Sequence, residues 1–141
     1  MKARRLVLAL VASTLIFGLQ SLGTALGQIY DKKYSAKLIS PRPGEVLHPG
    51  EVVRIQWRSD FPDVDLTMCE TEILLSLDGG KTIYMFITSS RRPKVQYFDW
   101  TVPNTPTNEA VLDIRFGCLN IYPETSSLQV QSKFVISSVV N

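Results

Sequence analysis

Val52-Val53-Arg54-Ile55-Gln56-Trp57-Arg58-Ser59 is the stretch that decides the fold. Val53, Ile55 and Trp57 share one parity, and Arg54, Gln56 and Arg58 share the other. A period of two puts the first set on one face of a strand and the second on the opposite face, so this segment reads as a half-buried antiparallel strand. The same signal recurs on both sides of it. Upstream, residues 37–39 form a short strand stopped by Pro41-Arg42-Pro43-Gly44, and residues 45–47 form another stopped by His48-Pro49-Gly50. Downstream, residues 69–77 place Cys69, Thr71, Ile73, Leu75 and Leu77 on one face. Asp78-Gly79-Gly80-Lys81 follows as a hairpin signal, because tight hairpin turns need positive φ and glycine supplies it. Residues 82–87 are expected to return as its partner strand, and residues 89–94 to form a loop.

Phe98, Trp100 and Val102 share a face in residues 95–102, which end at Pro103. Leu112, Ile114, Phe116 and Cys118 do so in residues 110–118, and a last strand is expected over 128–137. No segment carries a convincing helical period. About seven short strands separated by turn signals predict an all-β chain folded as a two-sheet antiparallel β-sandwich.

The N-terminus sets the compartment. Lys2, Arg4 and Arg5 precede an apolar run over residues 6–19, and small residues occupy the −3 and −1 positions if cleavage falls between Gly27 and Gln28. That is the layout of a secretory signal peptide, and the run is shorter than the ~20 residues of a spanning helix. Residues 1–27 are therefore expected to be removed, residues 28–36 to form an extended lead-in, and residues 37–138 the sandwich. Of 15 Lys+Arg and 13 Asp+Glu in the chain, the signal takes three cations and no acid, leaving 12 against 13. A near-neutral domain carries no electrostatic warrant for nucleic acid as a partner. The expected location is secreted, extracellular or periplasmic, with no membrane span after cleavage.

Two cysteines in an exported chain point to one disulfide, Cys69 with Cys118; two free thiols or metal ligation are the alternatives. If the strands that Cys69 opens and Cys118 closes are antiparallel neighbours, the sulfurs fall within bonding reach. Metal is disfavoured because His48 is the only histidine. Neither metal nor cofactor is expected.

The string Ser76-Leu77-Asp78-Gly79-Gly80-Lys81-Thr82 resembles the Asp-box that recurs at blade hairpins of sialidases, with Ile83 where the box has Trp. One copy makes no propeller, and turn chemistry accounts for Asp78, Gly79 and Gly80. Landmarks spread along the chain carry a wider resemblance: Leu38-Ile39-Ser40-Pro41-Arg42-Pro43-Gly44-Glu45, Ile55-Gln56-Trp57, Ile73-Leu74-Leu75-Ser76-Leu77-Asp78-Gly79-Gly80-Lys81-Thr82, Trp100-Thr101-Val102-Pro103 and Ser132-Lys133-Phe134-Val135-Ile136. In order and spacing these are similar to secreted immunoglobulin/fibronectin type III-like repeats, as at the start of fungal cell-wall synthesis and Ser/Thr-rich GPI-anchored wall proteins. Two features depart from that pattern: Val46-Leu47 stands where an aromatic is usual, and the cysteine pair is extra. The resemblance implies a modular, non-catalytic extracellular domain with no catalytic residue to carry over.

The remaining chemistry is sparse. His48 lies in a turn with no obvious nucleophile beside it. Asp60, Asp63 and Asp65 offer oxygen ligands for calcium in no EF-hand spacing, which reads as a solvated loop. Arg91, Arg92 and Lys94 form a small basic cluster. Trp57 and Trp100 have core parity, whereas Tyr84, Tyr97 and Tyr122 read as surface aromatics. The sequence therefore predicts a binding or structural module for an extracellular protein or a cell-surface glycan. The rival is a carbohydrate-binding module or small glycan-active domain built on the 60–65 and 91–94 loops.

Overall fold

A computed structural model describes residues 31–139. The expected signal peptide over residues 1–27 and the start of the lead-in lie outside the described residues. Nine strands appear in chain order: β1 Ser35–Ser40, β2 Val46–Leu47, β3 Val52–Asp60, β4 Cys69–Ser76, β5 Met85–Arg91, β6 Tyr97–Thr101, β7 Thr107–Cys118, β8 Tyr122–Thr125 and β9 Phe134–Ile136. Short 3₁₀ turns at Leu66–Met68 and Val130–Ser132 are the only helical elements among the described residues. The strands form two sheets, β1-β3-β6 and β2-β9-β7-β4-β5, with β8 also pairing β7. The chain is an all-β sandwich.

The decisive strand is central in the smaller sheet. It pairs antiparallel with β1 at Leu38↔Trp57 and with β6 at Ile55↔Phe98. Because both neighbours use its backbone, the parity of its side chains decides which face is dry. Ile55 and Trp57 are buried, while Arg54, Gln56 and Arg58 are exposed. In the larger sheet β4 and β7 pair along their whole shared length, from Cys69↔Cys118 to Ser76↔Val111. The core fills the space between the sheets with Leu38, Ile55, Trp57, Ile73, Leu75, Trp100, Leu112, Ile114 and Phe134. Trp100 meets Phe134 edge-on at 6.4 Å, a favoured aromatic geometry. Both tryptophans are core residues, as their parity predicts.

A second cluster closes the end where the cysteines lie. Tyr34, Phe116, Cys118 and Tyr122 are buried there, with Phe61 packed against them. Ring centroids are 4.9 Å apart for Tyr34–Phe116, 5.1 Å for Phe61–Phe116 and 5.6 Å for Phe116–Tyr122. The Tyr34 amide donates to the Tyr122 hydroxyl at 3.0 Å. Tyr122 is thus a core residue and not the surface aromatic expected. Its hydroxyl finds a backbone donor inside, which removes the penalty for burying it.

One open side of the sandwich, between β1 and the segment before β9, is stitched by side chains. Gln129 is 1% exposed. Its Oε1 accepts from the Leu38 amide at 2.9 Å, and its Nε2 donates to the Ala36 carbonyl at 3.0 Å. Ser127 Oγ accepts from the Ala36 amide at 2.9 Å. Three backbone groups of β1, the Ala36 amide and carbonyl and the Leu38 amide, are thereby satisfied without another strand.

Three further boundaries differ from expectation. The return strand begins at Met85 and runs to Arg91, so residues 77–84 form a wide loop and not a tight hairpin, and residues 89–91 are strand and not loop. The expected last strand over 128–137 is split into a 3₁₀ turn and β9, preceded by β8. Strand β2 falls within the expected 45–47, and the added β8 brings the strands to nine among the described residues, against about seven expected. Tyr34 and β1 extend the sandwich slightly upstream of residue 37.

Candidate functional site

The wide loop after β4 shows what the Asp-box does here. Ser76 Oγ donates to Asp78 Oδ1 at 2.8 Å and accepts from the Gly80 amide at 2.9 Å. Asp78 accepts from the Thr82 amide at 2.9 Å and from the Thr82 hydroxyl at 2.7 Å. These bonds, the Thr82 hydroxyl first, hold its carboxyl well below the usual carboxylate range. Gly79 and Gly80 take φ of 76° and 93°, which only glycine adopts freely. The side chains of Ser76, Asp78 and Thr82 are spent on the turn, and the Gly79 amide anchors it to the Glu109 carbonyl at 2.9 Å, so Asp78, Gly79 and Gly80 are structural.

The chemistry converges instead at the disulfide end. Cys69 and Cys118 are directly opposite in the β4–β7 register and are bonded, with 49 residues between them in sequence. The β3–β4 loop, the β5–β6 loop and the β7–β8 turn all emerge around this bond. The Leu119 amide donates to the Met68 carbonyl at 3.1 Å and ties the first to the last. Both residues are large and apolar, yet 67% and 54% exposed, respectively.

The three aspartates of the β3–β4 loop diverge. Asp60 pairs with Lys32 at 2.5 Å. Asp65 caps the 3₁₀ turn, accepting from the Thr67 amide at 2.9 Å and its hydroxyl at 2.8 Å, and those bonds lower its pKa. Asp63 is exposed. Among the described residues no group of three or more His, Cys, Asp or Glu is placed to hold a metal ion.

Two adjoining grooves open at this end. One, of about 800 Å³, lies between the 64–69 and 92–95 segments, walled by Val64, Leu66, Pro93 and Val95 with Arg92 and Lys94 beside them. The other, of about 550 Å³, runs over the outer side of β4 and β7 past Glu70, Glu72, Arg115 and Glu124, with Met68 and Leu119 at its edge. Thr67, Cys69 and Arg92 line both. The predicted loops at 60–65 and 91–94 therefore do meet, through Asp65 and Arg92–Lys94. Arg91 lines the second groove as well, its guanidinium 5.1 Å from the Phe98 ring centroid. Arg115 bridges Asp113 Oδ2 and Glu124 Oε1, both at 2.8 Å. Burial pushes the Glu72 carboxyl up, with Glu124 and Glu70 adding to it.

Sequence reading missed Met68, Leu119, Glu72 and Glu124. Strand parity marks Glu70 and Glu72 only as outward-facing; their grouping with Glu124 follows from the β7–β8 pairing. The other singled-out residues lie elsewhere. His48, at the opposite end, does have a hydroxyl neighbour, since its Nδ1 lies 2.8 Å from Ser137 Oγ, but both groups are in an exposed pair away from either groove. The exposed aromatics are divided between sheets: Tyr84 and Phe86 beside the larger, Tyr97 on the smaller under the Arg54 guanidinium at 4.6 Å. Among the described residues they form no row of rings for stacking on sugar.

Against protein-family models, curated proteins and solved structures, comparison found no match to this chain.

Proposed function

We propose that this chain is an exported, non-catalytic contact domain of the immunoglobulin/fibronectin type III-like kind, holding an extracellular or envelope protein at its disulfide end. The observation that carries this reading is the pair of adjoining grooves in which exposed Met68 and Leu119 sit within a frame of charged side chains. Apolar anchors surrounded by polar groups, set on a rigid scaffold, are what a protein interface needs. The loops that carry them are fixed by the Cys69–Cys118 bond and by the ring cluster beneath it.

Three features support export and the family likeness. The basic start and short apolar run fit a cleaved signal. The disulfide fits an oxidising compartment. Strand order β1-β3-β6 opposite β9-β7-β4-β5 fits the likeness to such repeats.

Two experiments test the proposal. Intact-mass spectrometry of the exported protein is expected to show a chain starting at Gln28, with Cys69 and Cys118 alkylated only after reduction; an uncleaved chain with two free thiols would overturn export. Affinity capture from the cell's own envelope and secretome is expected to retain a partner that Met68→Glu and Leu119→Glu release. Equal retention by both variants would remove the disulfide end as the contact site.

A second reading has one observation in its favour, the crowding of Glu72 with Glu70 and Glu124 in a groove. Paired carboxylates of unequal pKa are the machinery of glycoside hydrolysis. Hydrolysis of a glycan panel by the wild type, lost in Glu72→Gln, would replace the contact reading with this one.

A further inference from the structure

The outer edges of the two sheets are closed in different ways. Three backbone groups of β1 are met by Gln129 and Ser127. Strand β2 is two residues long, and β8 is four with Pro123 among them. Strand β5 slips register twice against β4, and such bulges turn an edge away from a new neighbour. Strand β6 has none of these devices. Its register with β3 is constant from Val52↔Thr101 to Gln56↔Tyr97. The ladder continues past both ends, where the Trp57 amide donates to the Gln96 carbonyl at 3.1 Å and the Val102 amide to the Glu51 carbonyl at 2.9 Å.

In an antiparallel pair, alternate residues turn both N–H and C=O to the neighbouring strand, and the residues between turn theirs away. Residues 96, 98, 100 and 102 therefore face β3, and Tyr97, Asp99 and Thr101 present their backbone groups to the open edge. None of those six groups has a hydrogen-bond partner among the described residues. The row is bounded, because Pro103 has no N–H and the Val95 amide is spent on the Arg92 carbonyl at 2.9 Å. Its one charge is answered, since the two oxygens of Asp99 accept from Arg54 at 2.7 and 2.9 Å. On the inner face of β6, Phe98 packs against the core and is only partly buried.

We propose that β6 is a docking edge, which takes an extended segment of a partner protein as a fourth strand of the smaller sheet. A strand supplies backbone donors and acceptors at the two-residue repeat that Tyr97, Asp99 and Thr101 set. Its inward side chains meet Phe98 and are apolar. The side chain opposite Asp99 is neutral or basic, because like charges directly opposite are destabilising. The same rule disfavours a second copy of this chain as the occupant. Two β6 edges paired antiparallel so that all six groups of each are used would set Asp99 against Asp99. This edge is separate from the disulfide-end grooves and does not rest on the contact reading given to them.

The test is a display library of random nonapeptides panned on the whole exported protein. Selected sequences are expected to alternate apolar with polar residues, the polar ones neutral or basic. In the free protein the Tyr97, Asp99 and Thr101 amides are expected to exchange hydrogen fast and those of Phe98 and Trp100 slowly; the selected peptide in synthetic form should slow the first three at least tenfold. Thr101→Pro removes one outward N–H and no β6–β3 bond, a position where an edge strand tolerates proline. It is expected to weaken the peptide at least tenfold, whereas Met68→Glu and Leu119→Glu leave its affinity unchanged.

Failure to select any peptide, sequences without the alternation, or binders that leave the three amides as fast as before would overturn the proposal, and the exchange pattern decides this in the wild type even if Thr101→Pro unfolds. A concentration-dependent dimer that protects the same three amides would also overturn it, in favour of a second copy. Partner capture and its loss in Met68→Glu and Leu119→Glu judge the disulfide-end contact separately.

Discussion

Replacing Gln129 with leucine tests whether a side chain does the work of a strand. Gln129 is buried, and its amide group reaches two backbone groups of β1: the Leu38 amide at 2.9 Å and the Ala36 carbonyl at 3.0 Å. Leucine fills much of the same space and supplies neither bond. The Leu38 amide then loses its acceptor, and the Ala36 carbonyl keeps only Ser127 Oγ at 3.2 Å. An unsatisfied buried backbone group costs about 1–3 kcal/mol. One full loss and one partial loss therefore predict a destabilisation of about 2–3 kcal/mol, a large share of the ~5–15 kcal/mol of a typical domain. Urea unfolding is expected to show a lower midpoint at unchanged slope, and hydrogen exchange to show faster exchange at the Leu38 amide. Gln131→Leu, two positions away and exposed, is the control and is expected to stay within ~0.5 kcal/mol. A loss below ~1 kcal/mol with the Leu38 amide still protected would refute the reasoning. Strand β1 would then be held by β3 and the core alone.

Reduction, or the Cys69→Ser/Cys118→Ser pair, is expected to cost on the order of 4 kcal/mol, because the bond closes a loop with a sequence separation of 49. Circular dichroism melts should fall by roughly 15 °C; a fall of only a few degrees would mean that the β4–β7 ladder holds this end unaided. Asp78 has a folded pKa below its unfolded one, so its contribution is present above the ordinary carboxylate range and is lost as pH falls through and below it. Asp78→Ala should flatten the acid limb of a stability–pH curve, and identical limbs would count against the turn network. Tyr34 is pushed up to about 12 by burial, so the folded state keeps its proton while the unfolded state loses it near 10. Stability should fall between those two values, and Tyr34→Phe should remove part of that fall in an alkaline titration.

Where a residue's fate depends on parity, the sequence is a sufficient guide. Val52–Asp60 needed only its alternation to place Trp57 inside and Arg58 outside. Cys69 and Cys118 share parity with core residues on two strands of suitable length, and they are opposite in register. Parity fails where side chains replace backbone partners. Residues 128–137 read as one strand, but Gln129, like Ser127 just before it, spends its polar groups on β1, and the run is broken by a 3₁₀ turn. The loop after Ser76 looks like a two-glycine hairpin, yet Ser76 and Asp78 hold the turn with their own oxygens, and pairing resumes only at Tyr84, whose amide donates to the Leu75 carbonyl at 2.7 Å. Tyr122 is misread for the same reason, since its hydroxyl meets a backbone amide that is 88 residues away in sequence.

The disulfide end was visible in the sequence as pieces and not as a site. Its acids and cations lie on four separate segments, and their sum along the chain is close to neutral, so composition argues against any charged partner. Topology gathers these charges at one end and leaves the signs mixed. Strands β4, β5, β7 and β8 bring Glu70, Glu72 and Glu124 together with Arg91, Arg92 and Arg115 around one groove, and Arg92 reaches the other beside Lys94. Local pairing answers part of that charge, since Arg115 holds both Asp113 and Glu124. Loops alone would blur such an arrangement. Here Cys69 lines both grooves, and its position is fixed by a covalent bond and by eight paired positions of the β4–β7 ladder. The staple thus fixes the loops that carry Met68 and Leu119, and its loss should weaken partner capture at this end even at temperatures where the sandwich stays folded.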